Sequence, residues 1–173
     1  MKITLRILSV ILATLMLSLC FVACDGKKNA SSLAFETPDG VVISIGADAA
    51  PIIEKLGAPT TVNESNSCGG FSGKDYVYTY KGFRVSTTPA DGYQMICKVE
   101  LLDDSLKTPE GLYIGMSRTD AEAAMKGFSS MSIVGNVSYI SDSTMLNVTY
   151  RDECISSITY VDKGSLSVSY SAD

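Results

Sequence analysis

Ile45-Gly46-Ala47-Asp48 runs into a short apolar pattern that ends at Leu56-Gly57. Ile114-Gly115-Met116-Ser117 runs into a similar pattern that ends at Met125-Lys126-Gly127. Laid one on the other, Ile45 falls on Ile114, Gly46 on Gly115, Asp48 on Ser117 and Leu56 on Met125. The correspondence reads as a duplicated unit. Each copy is expected to open with a capped helix. Asp48 is the first N-cap candidate, with Pro51 in the first turn, where a missing N–H costs little. Ser117-Arg118-Thr119-Asp120 resembles a capping box with Asp in the place of Glu or Gln. Ile52, Ile53 and Leu56 make one apolar stripe, with Gly57 as C-cap; Ala121, Ala124, Met125 and Phe128 make the other. Helices this short do not persist alone in water, so they are expected to lie on a sheet.

The stretches outside the helices supply that sheet. Leu33–Thr37, the turn Pro38-Asp39-Gly40 and Val41–Ile45 read as a hairpin. Residues 58–75 read mostly as loop. Tyr76–Tyr80 alternates strictly and predicts a strand, continued by Phe83–Thr88 after Lys81-Gly82. Pro89-Ala90-Asp91-Gly92 marks a turn before Tyr93–Leu102. In the second half, strands are predicted at Val137–Ile140, Met145–Tyr150 and Cys154–Val161, with a last alternating one over Ser165–Ser171. The expected fold is α+β: two tandem units, each a short helix followed by an antiparallel β-meander, with the helices packed on one face of a shared antiparallel sheet. The units are expected to span 33–104 and 105–173 and to form one globular domain together.

The first residues have the layout of a secretory leader. Lys2 and Arg6 precede an uncharged, mostly apolar run from Ile7 to Ala23. The run is at the lower edge of the about 17–25 residues that span a bilayer, so an uncleaved anchor is the alternative. Phe21-Val22-Ala23-Cys24 resembles the lipobox of bacterial lipoproteins, with Phe where Leu is usual. That resemblance implies a signal peptide over 1–23, diacylglyceryl transfer to Cys24, and durable anchoring through two or three acyl chains. Residues 24–32 then form a lipid-anchored flexible tether.

Composition removes several function classes. The chain has 173 residues and a formal net charge of −5, and Lys2 and Arg6 lie in the leader, so the remainder is more acidic still. An acidic surface disfavours nucleic acid as a partner. There is no His, which excludes Ser-His-Asp and Cys-His relays and His-containing zinc sites. No Ser stands three residues before a Lys, so a Ser-x-x-Lys nucleophile is also excluded. No metal site, cofactor or catalytic residue is expected.

What remains is suggestive of contact rather than chemistry. Tyr76, Tyr78 and Tyr80 share one strand face by the period of two, and Tyr150, Tyr160 and Tyr170 are expected to add to the same sheet. Tyr suits half-buried strands, and it also suits recognition surfaces, where it offers large area and a polar tip. On the second reading Tyr76, Tyr78 and Tyr80 are a candidate binding face for a protein or wall polymer. Cys68, Cys97 and Cys154 are left after Cys24. The simplest disulfide joins Cys68 with Cys97; the alternative is that Cys97 and Cys154 are buried strand thiols. Gly69-Gly70-Phe71-Ser72-Gly73-Lys74 fails the phosphate-loop pattern, with Cys68 in place of the first Gly and Asp75 after Lys74. Asp103-Asp104 reads as a solvated pair at a strand end.

Several motifs resemble known families. Ile-Gly, a short helix ending in Leu-Gly, and a meander resemble the repeat of the β-lactamase-inhibitor-protein-like fold and, more distantly, small outer-membrane assembly lipoproteins of the SmpA/OmlA type. Ser67-Cys68, Gly73-Lys74-Asp75, Tyr78-Thr79-Tyr80 and Thr108-Pro109-Glu110-Gly111-Leu112-Tyr113-Ile114-Gly115 resemble a group of lipoproteins from anaerobic Gram-positive bacteria that has no established activity. The resemblance implies a tandem repeat and an extracytoplasmic, membrane-anchored location. The expected function is a surface-tethered lipoprotein acting as a non-enzymatic binding or interaction module of the cell envelope, with an unknown protein or cell-wall partner. A proteinaceous inhibitor of an envelope or extracellular enzyme is the alternative; an enzyme using only carboxylates and Tyr is a third.

Overall fold

The computed structural model describes residues 33–68 and 72–163. The leader, the Cys24 anchor, the tether and the alternating Ser165–Ser171 segment lie outside the described residues. The elements are β1 (Phe35–Glu36), β2 (Val42–Ile43), α1 (Ala50–Leu56), β3 (Thr61–Asn66), β4 (Lys74–Tyr80), β5 (Phe83–Pro89), β6 (Gln94–Leu101), α2 (Arg118–Ala124), β7 (Ser129–Ile133), β8 (Asn136–Ser141), β9 (Thr144–Arg151) and β10 (Cys154–Asp162). β1 and β2 pair with each other. The other eight strands form one antiparallel sheet in the order β3-β4-β5-β6-β10-β9-β8-β7.

That architecture corrects the expected fold class. The described residues are 48% strand and 12% helix, built on one eight-stranded sheet rather than on two helix-plus-meander units with helices packed on the sheet. The reason is geometric. Eight strands span roughly 34 Å across, whereas a seven-residue helix is only about 10 Å long. α1 has no fully buried residue, and α2 buries only Ala121. Ile52, Ile53 and Leu56 are partly buried against the core. Most of the cover is hairpin and coil: Leu33, Phe35, Ile43, Ile45 and Leu112 are all buried in the cluster.

Two strands were not expected. β3 lies in the stretch read as loop, and β7 lies where only a connection was read. They are the two edges of the sheet, and every residue of both is exposed. Their sequences, Thr-Val-Asn-Glu-Ser-Asn and Ser-Ser-Met-Ser-Ile, lack a buried alternation because neither strand has a buried face. Each is held by its ladder to one neighbour, β4 or β8.

What the two Ile-Gly stretches share is an anchoring pattern. Gly46 N–H donates to Ile96 O at 2.8 Å, Ile96 N–H to Ala47 O at 2.9 Å, and Ala49 N–H to Gln94 O at 2.8 Å. Correspondingly, Gly115 N–H donates to Ile155 O at 2.7 Å, Ile155 N–H to Met116 O at 2.8 Å, and Arg118 N–H to Glu153 O at 2.9 Å. Each stretch clamps the start of β6 or β10. Gly46 (φ 86°) and Gly115 (φ 93°) sit in the left-handed region, which glycine enters without steric cost. A second matched pair precedes them. In Thr37-Pro38-Asp39-Gly40-Val41, Thr37 Oγ1 accepts from Val41 N–H at 3.1 Å; in Thr108-Pro109-Glu110-Gly111-Leu112, Thr108 Oγ1 accepts from Leu112 N–H at 3.1 Å. The shared Thr-Pro-acid-Gly spelling was the signal for this equivalence.

The caps differ. Ser117 is the N-cap of α2, accepting from Asp120 N–H at 3.2 Å, and its hydroxyl donates to Asp120 Oδ2 at 2.7 Å. Asp48 is not the cap of α1. That position is Ala49, and Asp48 Oδ1 accepts from Ala50 N–H at 3.1 Å, one residue too early to meet the second or third helical N–H.

Candidate functional site

Of the three ladder rows that cross all eight strands, two adjacent ones define the two sides of the sheet. One runs Val62, Tyr78, Val85, Val99, Tyr160, Leu146, Tyr139, Ser130. The next runs Thr61, Thr79, Arg84, Glu100, Thr159, Asn147, Ser138, Met131. Successive residues of a strand point to opposite faces, so the rows lie on opposite sides of the sheet. From Val85 to Tyr139 the first row is buried, and it belongs to the hydrophobic core. Among the described residues the core cluster uses that side alone. The second row lies on the other, open side and carries only polar side chains between its edge residues; the third row, Asn63, Val77, Ser86, Lys98, Val161, Met145, Ile140 and Ser129, shares that side and is mixed, with Met145 buried.

The Tyr residues singled out in the sequence lie on the core side. Tyr80 is buried, Tyr78 is partly buried against the core, and Tyr76 stacks on Tyr78 with ring centroids 6.0 Å apart. The three run from the core outward rather than forming one exposed face. Tyr80 stacks on Phe83 at 5.0 Å. It also walls a cavity of about 530 Å³, between Asp39 of the first turn, Lys55 and Leu56 of α1, Lys81 and Leu106. Its hydroxyl is buried with no hydrogen-bond partner among the described residues. Tyr150 and Tyr160 are core residues too. Tyr160 is fully buried, and its hydroxyl donates to Glu110 Oε2 at 3.0 Å. Burial, with the nearby Glu110 charge second, holds the Tyr160 phenol well above its ordinary pKa and keeps it a donor.

On the open side the centre is ionic and the flank is amide and hydroxyl. Arg84 Nε lies 3.1 Å from Glu100 Oε2, an ion pair whose angle falls short of a hydrogen bond. Lys98 Nζ lies 3.8 Å from the same oxygen. Partly exposed pairs of this kind contribute at most about 1 kcal/mol, so they hold little stability and are free to exchange partners. Further along, the Ser138 hydroxyl donates to Asn147 Oδ1 at 2.7 Å, and the Thr149 hydroxyl to Asn136 Oδ1 at 2.6 Å. Cross-strand pairing aligns these groups, since side chains directly opposite sit about 5 Å apart. Chemically the face offers two cations, one carboxylate and a row of neutral donors and acceptors. The sequence concealed it because each strand contributes only one or two of its residues.

The remaining candidates carry no chemistry in the structure. Cys68, Cys97 and Cys154 are all free, so the Cys68–Cys97 disulfide is absent. Cys97 Sγ donates to Ser86 O at 3.3 Å at the irregularity between β5 and β6, while Cys68 is exposed. Cys154 is exposed rather than a buried strand thiol. Burial, reinforced by Asp75, pushes the Cys97 thiol above its ordinary pKa and keeps it protonated. Lys74 pairs with Glu64 across β3 and β4. Asp103 Oδ1 accepts from Ser105 N–H at 2.9 Å and from the Ser105 hydroxyl, which makes it a turn residue. No group of three metal-ligating side chains occurs among the described residues. Searches against protein-family models, curated proteins and solved structures return no match.

Two of the buried phenols, Tyr160 and Tyr80, make a contrast that urea unfolding measures. Tyr160→Phe removes a bond to a charged acceptor and is expected to cost about 1.5–3 kcal/mol. Tyr80→Phe removes a hydroxyl without a partner and is expected to be neutral or stabilising.

Proposed function

We propose that the protein is a lipoprotein tethered through Cys24 that acts as a non-enzymatic binding module of the cell envelope, and that it meets its partner through the open side of the sheet. The observation that carries the reading is the polar row from Thr79 to Ser138, which crosses the sheet opposite the core. The neighbouring row on the same side adds Val77, Val161, Met145 and Ile140, so polar and apolar groups lie next to each other there. Arg84, Lys98 and Glu100 supply ionic contacts, and the Thr, Asn and Ser residues beside them supply neutral donors and acceptors. That chemistry suits a polar partner, a protein surface or a wall polymer. The leader, the Phe21-Val22-Ala23-Cys24 spelling and the polar 24–32 segment support the tether, and the resemblance to lipoproteins of anaerobic Gram-positive bacteria points to the same location.

Two measurements test the reading. Radioactive palmitate fed to cells making the full chain is expected to label it, and Cys24→Ala to abolish the label; labelling that survives the substitution would refute the tether. A photo-crosslinking residue at Thr159, on the open side, is expected to capture a discrete partner. The capture should fall at least about tenfold, or 1.4 kcal/mol, in the Arg84→Glu, Lys98→Glu double variant. Equal capture from a crosslinker at Glu54, on α1, would contradict the assignment of the face.

A further inference from the structure

The two edges of the sheet are not alike. β3 carries Glu64, paired with Lys74 of β4. β7 carries no charge, no Pro and no register irregularity with β8, and the surrounding residues from Gly127 to Ser141 are all uncharged. Its apolar side chains are exposed: Met131 at 47%, Ile133 at 64% and Val134 at 98%. Proteins ordinarily block a free edge with a charge, a Pro, a bulge or a cover, because unpaired N–H and C=O groups invite another strand. β7 has none of these among the described residues, whereas β3 has the charge.

We propose that β7 pairs antiparallel with β7 of a second copy, joining two sheets edge to edge about a two-fold axis. Charge selects this occupant. The chain is acidic, formally −5, so two copies approach most readily where neither carries charge. The 127–141 segment is such a place. A β3–β3 contact would instead set two Glu64 carboxylates beside each other, and like charges on neighbouring strands are destabilising. Ser129, Met131 and Ile133 share one face of β7, and Ser130 and Ser132 the other. A two-fold at or near Met131 therefore gathers Met131 and Ile133 of both copies into one apolar patch. An interface of this type is isologous and closes as a dimer.

The test is cysteine scanning of the full chain in intact cells. Ser129 to Ile133 are replaced one at a time by Cys, a mild oxidant is added, and the products are separated without reductant. Each residue is exposed, so single substitutions leave the core untouched. The expected result is a disulfide-linked product of twice the chain mass that peaks at one or two neighbouring positions. It should stand severalfold above both the unsubstituted chain, whose Cys68 and Cys154 set the background, and Val62→Cys on the opposite edge. Adding Ile133→Asp to Met131→Cys is expected to abolish it. Yields along β7 no higher than at Val62→Cys would overturn the proposal. So would a dominant product of any other mass, which would mean that a different protein takes the edge.

Discussion

Thr159, Tyr160 and Val161 of β10 pair with Glu100, Val99 and Lys98 of β6, and this short antiparallel contact turns two four-stranded sets into one sheet. Everything else leans on it. Val99 and Tyr160 face each other across the joint with no exposed surface, Leu101 and Ile158 are buried beside them, and Phe35 packs on Tyr160 at 6.2 Å and on Phe83 at 5.3 Å. Each such side chain gains about 1.5–3 kcal/mol on full burial, which neither set could collect at its own edge. The two Ile-Gly clamps hold the beginnings of these two strands, and the Tyr160–Glu110 bond ties the connector from the first half to the second. The anchors converge on the joint.

The same register decides which face is available for binding. A slip of one residue would exchange the Val-Tyr-Leu row for the Thr-Arg-Glu-Asn row and put charges into the core, so burial of the first row fixes the exposure of the second. The placing of the polar row follows from the packing of the other side. Its ion pairs are partly exposed and weak, so it can be re-paired by a partner at small cost to the fold.

Strands with one buried face were legible in the sequence, because their alternation records the burial: β4, β5, β6, β8, β9 and β10 all lie where alternation or apolar runs placed strands. β3 and β7 left no such record, since an edge strand exposed on both faces has no period to read. The Tyr76–Tyr80 alternation correctly placed three rings on one face, but alternation alone does not say which face is wet, and Tyr80 lies in the core. The fold class was not legible for a related reason. Apolar stripes at Ile52–Leu56 and Ala121–Met125 announce helices, but not how little of an eight-stranded sheet seven residues can cover. The open row was not legible at all, because it is assembled from eight separate strands.

The central claim is that the joint makes one cooperative sheet rather than two independently folding halves. Native-state hydrogen exchange across a series of low denaturant concentrations measures this directly. Amides of β5 and β6 and those of β9 and β10 are predicted to exchange with the same free energy and the same denaturant dependence, equal to those of global unfolding. Exchange of the β9 and β10 amides through an opening that leaves β5 and β6 protected, or the reverse, would contradict the account.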